Sequence, residues 1–510
     1  MSSQFGKKQR IIKNGLHATF FSIFSVVLSF ITRKVFITTL GTDFLGYEGL
    51  FSNIFSILSV AEAGFLSLMY YSLYKEVAYD NYKEISRLME AHRVFYRTIG
   101  IIIASSGILL SFGLSFFISD GSLEMSYVYK IYFIQLLGTV IPYFLSYKRT
   151  LFTVKQEAYL FIKIDAYCTF VMYFLKILLL YLTSSYIIYL LVSVIYNLVA
   201  NIIVSIVYNR RYTFISHEKL KLGYFKEKGL TKDIGNLLIG TIAGKVYFAT
   251  DSIVIVKMLG IPMAGLYANY FLINQGVDMI IQKLTSGLSP AVGNYVHMVD
   301  EKQKNDMYKM MKVAYFFIAI FTVNGFLLFF QPVIRNWLGE QYLLPVSLVY
   351  AIAANSYITW NHQFISILRG TVGYFEKDRI FYILSAGTNI ILSIYLSSIY
   401  GITGIVIGTV VGQLFFWMGR ALIVHKYVIS DSVYGYIVQE LLKAFYVAMQ
   451  ALILVKIGTV ITDSLRGLFL RSIVFMAYTG IQYVTIGFCT VGGRKLIGYS
   501  IKMIKEGKIK

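Results

Sequence analysis

Lys245 falls near the middle of an apolar run at residues 232–259, too deep for its ammonium to reach a headgroup, with Thr241 and Ser252 on its face at helical spacing. A charged side chain at the bilayer centre costs roughly 2.5–3.5 kcal/mol on insertion scales, so it is expected to line a polar cavity or find a partner. Asp251 lies on the same run, roughly 240° around from Lys245, and is expected to meet another helix. The next run carries Asn274, Gln275, Asp278, Gln282, Thr285 and Ser289 within a sector of about 100°, a wall fit for water or sugar hydroxyls. Glu48 and Glu62 fall nearly on one face of the second run, as do Asp165 and Lys176 on the fifth. Ser22, Ser29 and Arg33 line up on the first. The chemistry on offer is non-covalent: cations that hold an anion, carboxylates that carry a proton or sodium ion, and amides that bind hydroxyls. Arg33, Glu48, Glu62, Lys176, Lys245, Asp251, Gln275, Asp278 and Gln282 form the candidate cavity set.

Covalent and metal chemistry find no support in the residue patterns. No His-Glu-x-x-His or Ser/His/Asp pattern stands out among the six histidines, and Cys168 and Cys489 lie in apolar runs outside any metal-ligand spacing. His362, beside Trp360, is expected to be packed and hydrogen-bonded rather than a titrating switch. Gly401, Gly404 and Gly408 imitate a phosphate loop but sit in an apolar helix, where small residues serve close packing. The chain is therefore expected not to be an enzyme and to need no metal or cofactor.

The elements that position these residues are membrane spans. Of 510 residues, 57% are hydrophobic and 14% charged, well below the roughly 25% charge of a soluble chain. Apolar runs long enough to cross a bilayer lie near 15–39, 44–70, 94–118, 127–147, 158–182 and 185–208. A second set lies near 232–259, 264–290, 312–332, 343–368, 379–399 and 402–424, and two more near 437–460 and 467–491. The net charge of +21 does not indicate nucleic acid. About 35 of the 47 Lys and Arg lie on alternate connections and the two tails, which places both termini in the cytoplasm. His217 to Lys232 is a basic interfacial segment, and the first run is expected to be retained rather than cleaved. The halves match at an offset of about 219 residues: Leu40-Gly41 with Gly46 corresponds to Leu259-Gly260 with Gly265, and Arg149 to Arg369. The expected fold is all-α and polytopic, with about 14 transmembrane helices in two pseudo-symmetric six-helix lobes plus two C-terminal helices. The expected boundaries are 1–210 for the first lobe, 211–231 for the linker, 232–428 for the second lobe and 429–510 for the final helices and basic tail.

Thr32-Arg33-Lys34-Val35-Phe36, Leu40-Gly41, Leu45-Gly46, Gly49-Leu50-Phe51, Asn53-Ile54, Leu58-Ser59, Glu62-Ala63-Gly64, Ser72-Leu73-Tyr74-Lys75 and the 80–89 segment together resemble the N-terminal region of Wzx-type polysaccharide flippases. These form the polysaccharide transporter branch of the MOP superfamily. The resemblance implies a central cationic cavity and alternating access. The cargo would be undecaprenyl-diphosphate-linked oligosaccharide, moved across the bacterial cytoplasmic membrane for capsule or O-antigen-like glycans. Related flippases meet pyrophosphate through arginines on the first two helices; here only Arg33 stands so placed, and the second span offers Glu48 and Glu62. The implied partners are the lipid-linked substrate, membrane lipids, a coupling proton or sodium ion, and a polysaccharide polymerase with glycosyltransferases. The competing expectation is a multidrug cation antiporter of the related MATE type, which calls for a carboxylate-dominated cavity.

Overall fold

The computed structural model describes residues 24–118, 123–216, 250–285, 288–372, 375–429 and 432–505. Among these every regular element is helical. Among the described residues, eight helices are long and apolar enough to cross a membrane, nine if the bent pair Met125–Phe144 and Ser146–Val154 counts as one. The remaining expected spans coincide with helices that are shorter, more polar or partly outside the described residues. Contacts divide the chain into two compact units, Met1–Ala268 and Asn269–Lys510.

The first unit holds α1 (24–40), α2 (Asp43–Leu58), α3 (Val60–Ala78), α4 (Tyr82–Ser111), α5 (Met125–Val140), α6 (Arg149–Val154), α7 (Tyr159–Thr183), α8 (Tyr186–Arg211) and α9 (250–259). Local chemistry sets several ends. Asn81 caps α4 by accepting from the Glu84 amide, and α7 stops at Ser184 in the left-handed region. The second unit begins within α10 (Ile261–Thr285) and continues through α11 (Leu288–Met298), α12 (Glu301–Trp337), α13 (Val346–Asn361), α14 (Gln363–Val372), α15 (Phe375–Tyr400), α16 (Ile402–Tyr427), α17 (Val433–Val460), α18 (Leu465–Cys489) and α19 (Val491–Lys505).

Two departures from the expected spans stand out, and the second of them repeats in both halves. The second span is two helices, α2 and α3, which part at Ser59. The fourth span breaks between α5 and α6 through 3-10 turns that begin at Ile141-Pro142, and its counterpart breaks at His362 between α13 and α14. A run of apolar residues records length but not the place where the backbone ladder stops, so these breaks were invisible as hydropathy.

The glycine matches have a physical cause. Gly41 and Gly260 hold φ of +83° and +85° at the two hairpins, a region open to glycine at little cost. Gly46 and Gly265 then let the hairpins interlock. A Cβ on Gly46 would lie 2.3 Å from the Ile261 carbonyl oxygen, and one on Gly265 would lie 2.1 Å from that of Thr42. Reciprocal contact of this kind draws 250–268 into the first unit. Gly404 and Gly408 likewise admit the backbone of α15 against α16, where an added Cβ would meet Leu396 O at 2.1 Å and the Ser393 amide at 2.6 Å. They are packing glycines.

The corresponding arginines do corresponding work. Arg149 makes a bidentate pair with Asp165 on α7 and reaches Asn201 on α8. Arg369 pairs with Asp378 on α15, and Arg420 on α16 shares that carboxylate.

In the second unit α12 carries the last helices at three levels. Lys312 meets Glu440 of α17 at 3.1 Å, Asn324 donates to Thr479 and Gln482 of α18 at 2.9 and 2.6 Å, and Arg335 pairs with Asp463, which Arg471 also holds. Lys312 and Arg335 are separated by about 35 Å of helix rise. The charges thus stand toward the ends of the helix and the neutral amides between them, the order that desolvation favours. The basic tail is helical: α19 packs on α12, with Gly492 against the Lys309 carbonyl and Lys495 paired with Asp306.

Candidate functional site

The strongest polar cluster of the first unit gathers around Lys176. This residue is 7% exposed, and its ammonium stands 4.0 Å from the centre of the Tyr189 ring, a cation–π contact that replaces part of its lost hydration. Tyr186 stacks beside Tyr189 at 6.1 Å, and Phe36 of α1 closes on both rings at 5.7 and 4.8 Å. Gln135 donates to the Tyr186 hydroxyl at 3.0 Å. Arg33 and Glu48 both act electrostatically on Lys176, Tyr173, Tyr186 and Tyr189. Arg33 is half-buried, and among the described residues its Nη1 is buried without a hydrogen-bond partner. Lys34, its neighbour, is exposed. Two cations face one carboxylate in an aromatic setting, so the cluster is biased toward an anion. A guanidinium fork suits phosphate oxygens, and tyrosine hydroxyls can donate or accept.

Glu62 does not share this site. The break at Ser59 takes it onto α3, where its two oxygens accept from Tyr96 and Tyr143, each at 2.7 Å. This clamp joins α3, α4 and the break of the fourth span. Asp165 and Lys176 do lie along one helix, but Asp165 is held by Arg149 and the two do not meet. Asp251 interacts with Tyr267 on the following helix. Ser252 accepts from Asn53 at 2.8 Å, so its face of α9 meets α2. Lys245 and Thr241 lie outside the described residues.

In the second unit the polar stripe of α10 divides. Asp278 accepts from Trp360 Nε1 at 2.8 Å and from Asn274 at 3.2 Å, which turns this part toward α13. Gln275 and Gln282 are exposed. His362 stacks on Trp417 at 4.1 Å rather than on Trp360, and its Nδ1 meets the Tyr436 hydroxyl at 3.1 Å.

Sequence reasoning missed the charged residues that hold the second unit together. Glu440 is 4% exposed and bound by Lys312, Lys443 and Asn361. Asp378, with Arg369 and Arg420, is fully buried. One signal was available. Glu440 and Lys443 lie three apart within the thirteenth apolar run, and a carboxylate there needs a partner from another helix.

No family model matches the chain, and no curated protein does. Solved structures do. A lipid II flippase MurJ in an inward closed conformation superposes with a TM-score of 0.64 at 15% identity, covering 92% of this chain and 99% of that one. An inward-facing multidrug resistance MATE family transporter of the MOP superfamily gives 0.58 at 14% identity, covering 78% and 94%. A mutant form of the Vibrio cholerae MATE transporter VcmN gives 0.56 at 12% identity, covering 84% and 99%. The chain is thus a multi-pass, all-helical protein whose fold is similar to that of the MOP-type transporters, a lipid flippase among them.

Proposed function

We propose that the chain is a flippase for undecaprenyl-diphosphate-linked oligosaccharide, of the Wzx type. It would act in the bacterial cytoplasmic membrane, with both termini inside, for capsule or O-antigen-like glycans. The observation that carries this reading is the buried Lys176 with the half-buried Arg33, which with Glu48 and three tyrosines make an anion-biased, hydroxyl-rich site. A diphosphate needs cations and a glycan needs aromatic and hydroxyl surface, while the prenyl tail can stay in lipid. Exposure of this site to the two membrane faces in turn would move the polar part of the cargo. The lipid-linked flippase among the structural neighbours supports the same class of cargo. Gln275 and Gln282 are proposed as glycan contacts, and Lys245 and Asp251 as further cavity residues. Asp278 and Glu62 are the proposed carriers of a coupling proton or sodium ion. Glycosyltransferases and a polysaccharide polymerase would work before and after it.

The test is reconstitution with a lipid-linked oligosaccharide and measurement of its leaflet exposure. Arg33→Gln and Lys176→Gln should each slow protein-dependent flipping by about tenfold, the loss expected for one charge-assisted contact. Lys245→Ala should also slow it. Flipping that is unchanged in folded Arg33→Gln and Lys176→Gln proteins would remove this site from the mechanism. Absence of flipping together with gradient-driven efflux of small organic cations would move the assignment to the MATE-type antiporter. Transport that persists after proton and sodium gradients are collapsed would exclude ion coupling.

A further inference from the structure

A second cationic place lies in the first unit and shares no lining residue with the Lys176 cluster. It is a cavity of about 380 Å³ between the N-terminal half of α4, the broken fourth span and the end of α8 with the 212–216 segment that follows. Among the described residues, Arg93, Arg97 and Lys148 line it, with Glu90 as the one carboxylate. Glu90 pairs with Arg93 at 2.8 Å. Lys148 is 9% exposed, and its ammonium donates to the Ser205 hydroxyl and, at 3.1 Å, to the Asn209 side-chain oxygen, 5.3 Å from the Tyr208 ring. These hydrogen-bond partners are neutral, and the cation Arg93 acts on Lys148 as well. Arg93, Arg97 and Glu90 all act on Tyr147 in the same wall.

Burying an ammonium beside a guanidinium is costly unless a negative charge joins them. Among the described lining residues one carboxylate, Glu90, stands against three cations. The wall also offers neutral donors, the Tyr208 hydroxyl and the Asn209 amide among them. Guanidinium groups with hydroxyl and amide donors suit a tetrahedral oxyanion better than a planar carboxylate alone. We infer that this cavity binds a phosphate group through Arg93, Arg97 and Lys148. With both termini inside, as proposed above, the cavity opens at the cytoplasmic end of the first unit. The phosphate could come from an anionic lipid headgroup or from a soluble phosphate or diphosphate. Binding here does not depend on the cargo assigned to the Lys176 cluster.

The test uses the full chain in nanodiscs, with Cys168→Ser and Cys489→Ser and a reporter thiol introduced by Thr213→Cys in the cavity wall. The rate of maleimide labelling reads occupancy. In neutral phosphatidylcholine discs, pyrophosphate at about ten times its dissociation constant should slow labelling about tenfold, whereas sodium chloride of matched ionic strength should not. Discs containing phosphatidylglycerol should show the same protection without added pyrophosphate if the headgroup is the source. Protection by pyrophosphate alone identifies a soluble phosphate, and protection by the lipid alone identifies the headgroup. Arg97→Gln should weaken either protection about tenfold or more, and Arg97→Lys should retain most of it. Arg97 is exposed, so these two variants leave the packing intact. The inference is overturned if neither ligand protects beyond the chloride control, or if protection is equally strong in Arg97→Gln and in Arg93→Gln.

Discussion

At the scale of the residue, the sharpest constraints are two glycines. Gly46 and Gly265 have no room for a Cβ because a backbone carbonyl of the opposite hairpin occupies that place. Gly46→Val and Gly265→Val should each lower the yield of folded protein severely. Gly46→Ala and Gly265→Ala should cost about 2 kcal/mol or more, within the range for overpacking, seen as a fall of the thermal midpoint in detergent. Gly49 has open space where a Cβ would be, so Gly49→Ala is the control and should hold the midpoint. These positions were legible as a repeated motif because a close approach forces one residue type. The Lys176 site was legible only in part. Arg33, Glu48 and Lys176 stood out as charges in apolar runs. Their aromatic surround did not, because 42 tyrosines and 39 phenylalanines spread along the chain hide any single cluster.

At the scale of the element, α17 is held to α12 and α13 through one carboxylate. Glu440→Gln should destabilise the chain by about 3–5 kcal/mol, the cost of leaving buried partners uncompensated. Combining it with Lys312→Met and Lys443→Met should recover much of that loss, and thermal melts of the single and triple variants check both outcomes. Outside the spans, Glu157 ties the α6–α7 connection to the end of α8 by accepting from Arg211 at 2.6 Å and from Tyr212 at 2.8 Å. The Arg211 hydrogen bond holds the Glu157 carboxyl below its ordinary range, against the opposing effect of partial burial, and Tyr212 adds to the lowering. Its folded pKa is therefore depressed. The contribution to stability is complete above the unfolded value of about 4.3 and is lost as pH falls through the folded value. Glu157→Gln should flatten the decline of the thermal midpoint with pH in that acid range. Helix existence was readable from hydropathy, whereas helix breaks were not. The split that parts Glu62 from Glu48 is the case that mattered, since a continuous helix would have kept them on one face.

At the scale of the whole molecule, the all-helical, repeated architecture followed from residue pattern because membranes leave few alternatives for a satisfied backbone. The division after Ala268 was not readable, since it depends on the interlocked hairpins rather than on any composition shift. The three levels along α12 have one more consequence. They act as a gauge of bilayer thickness. The charged levels near Lys312 and Arg335 are about 35 Å apart, and the hydrocarbon of an ordinary bilayer is about 30 Å, so both can reach the interfaces while the amide level stays in the middle. A thicker bilayer would pull one charged level into hydrocarbon, and the mismatch would fall on the docking of α17 and α18 before it reached the first unit. Reconstitution across phosphatidylcholines of increasing chain length should therefore show proteolytic nicking of the 460–464 connection rising in the longest-chain lipids. Even with the proposed cargo and coupling ion supplied, transport would fail in a membrane of the wrong depth.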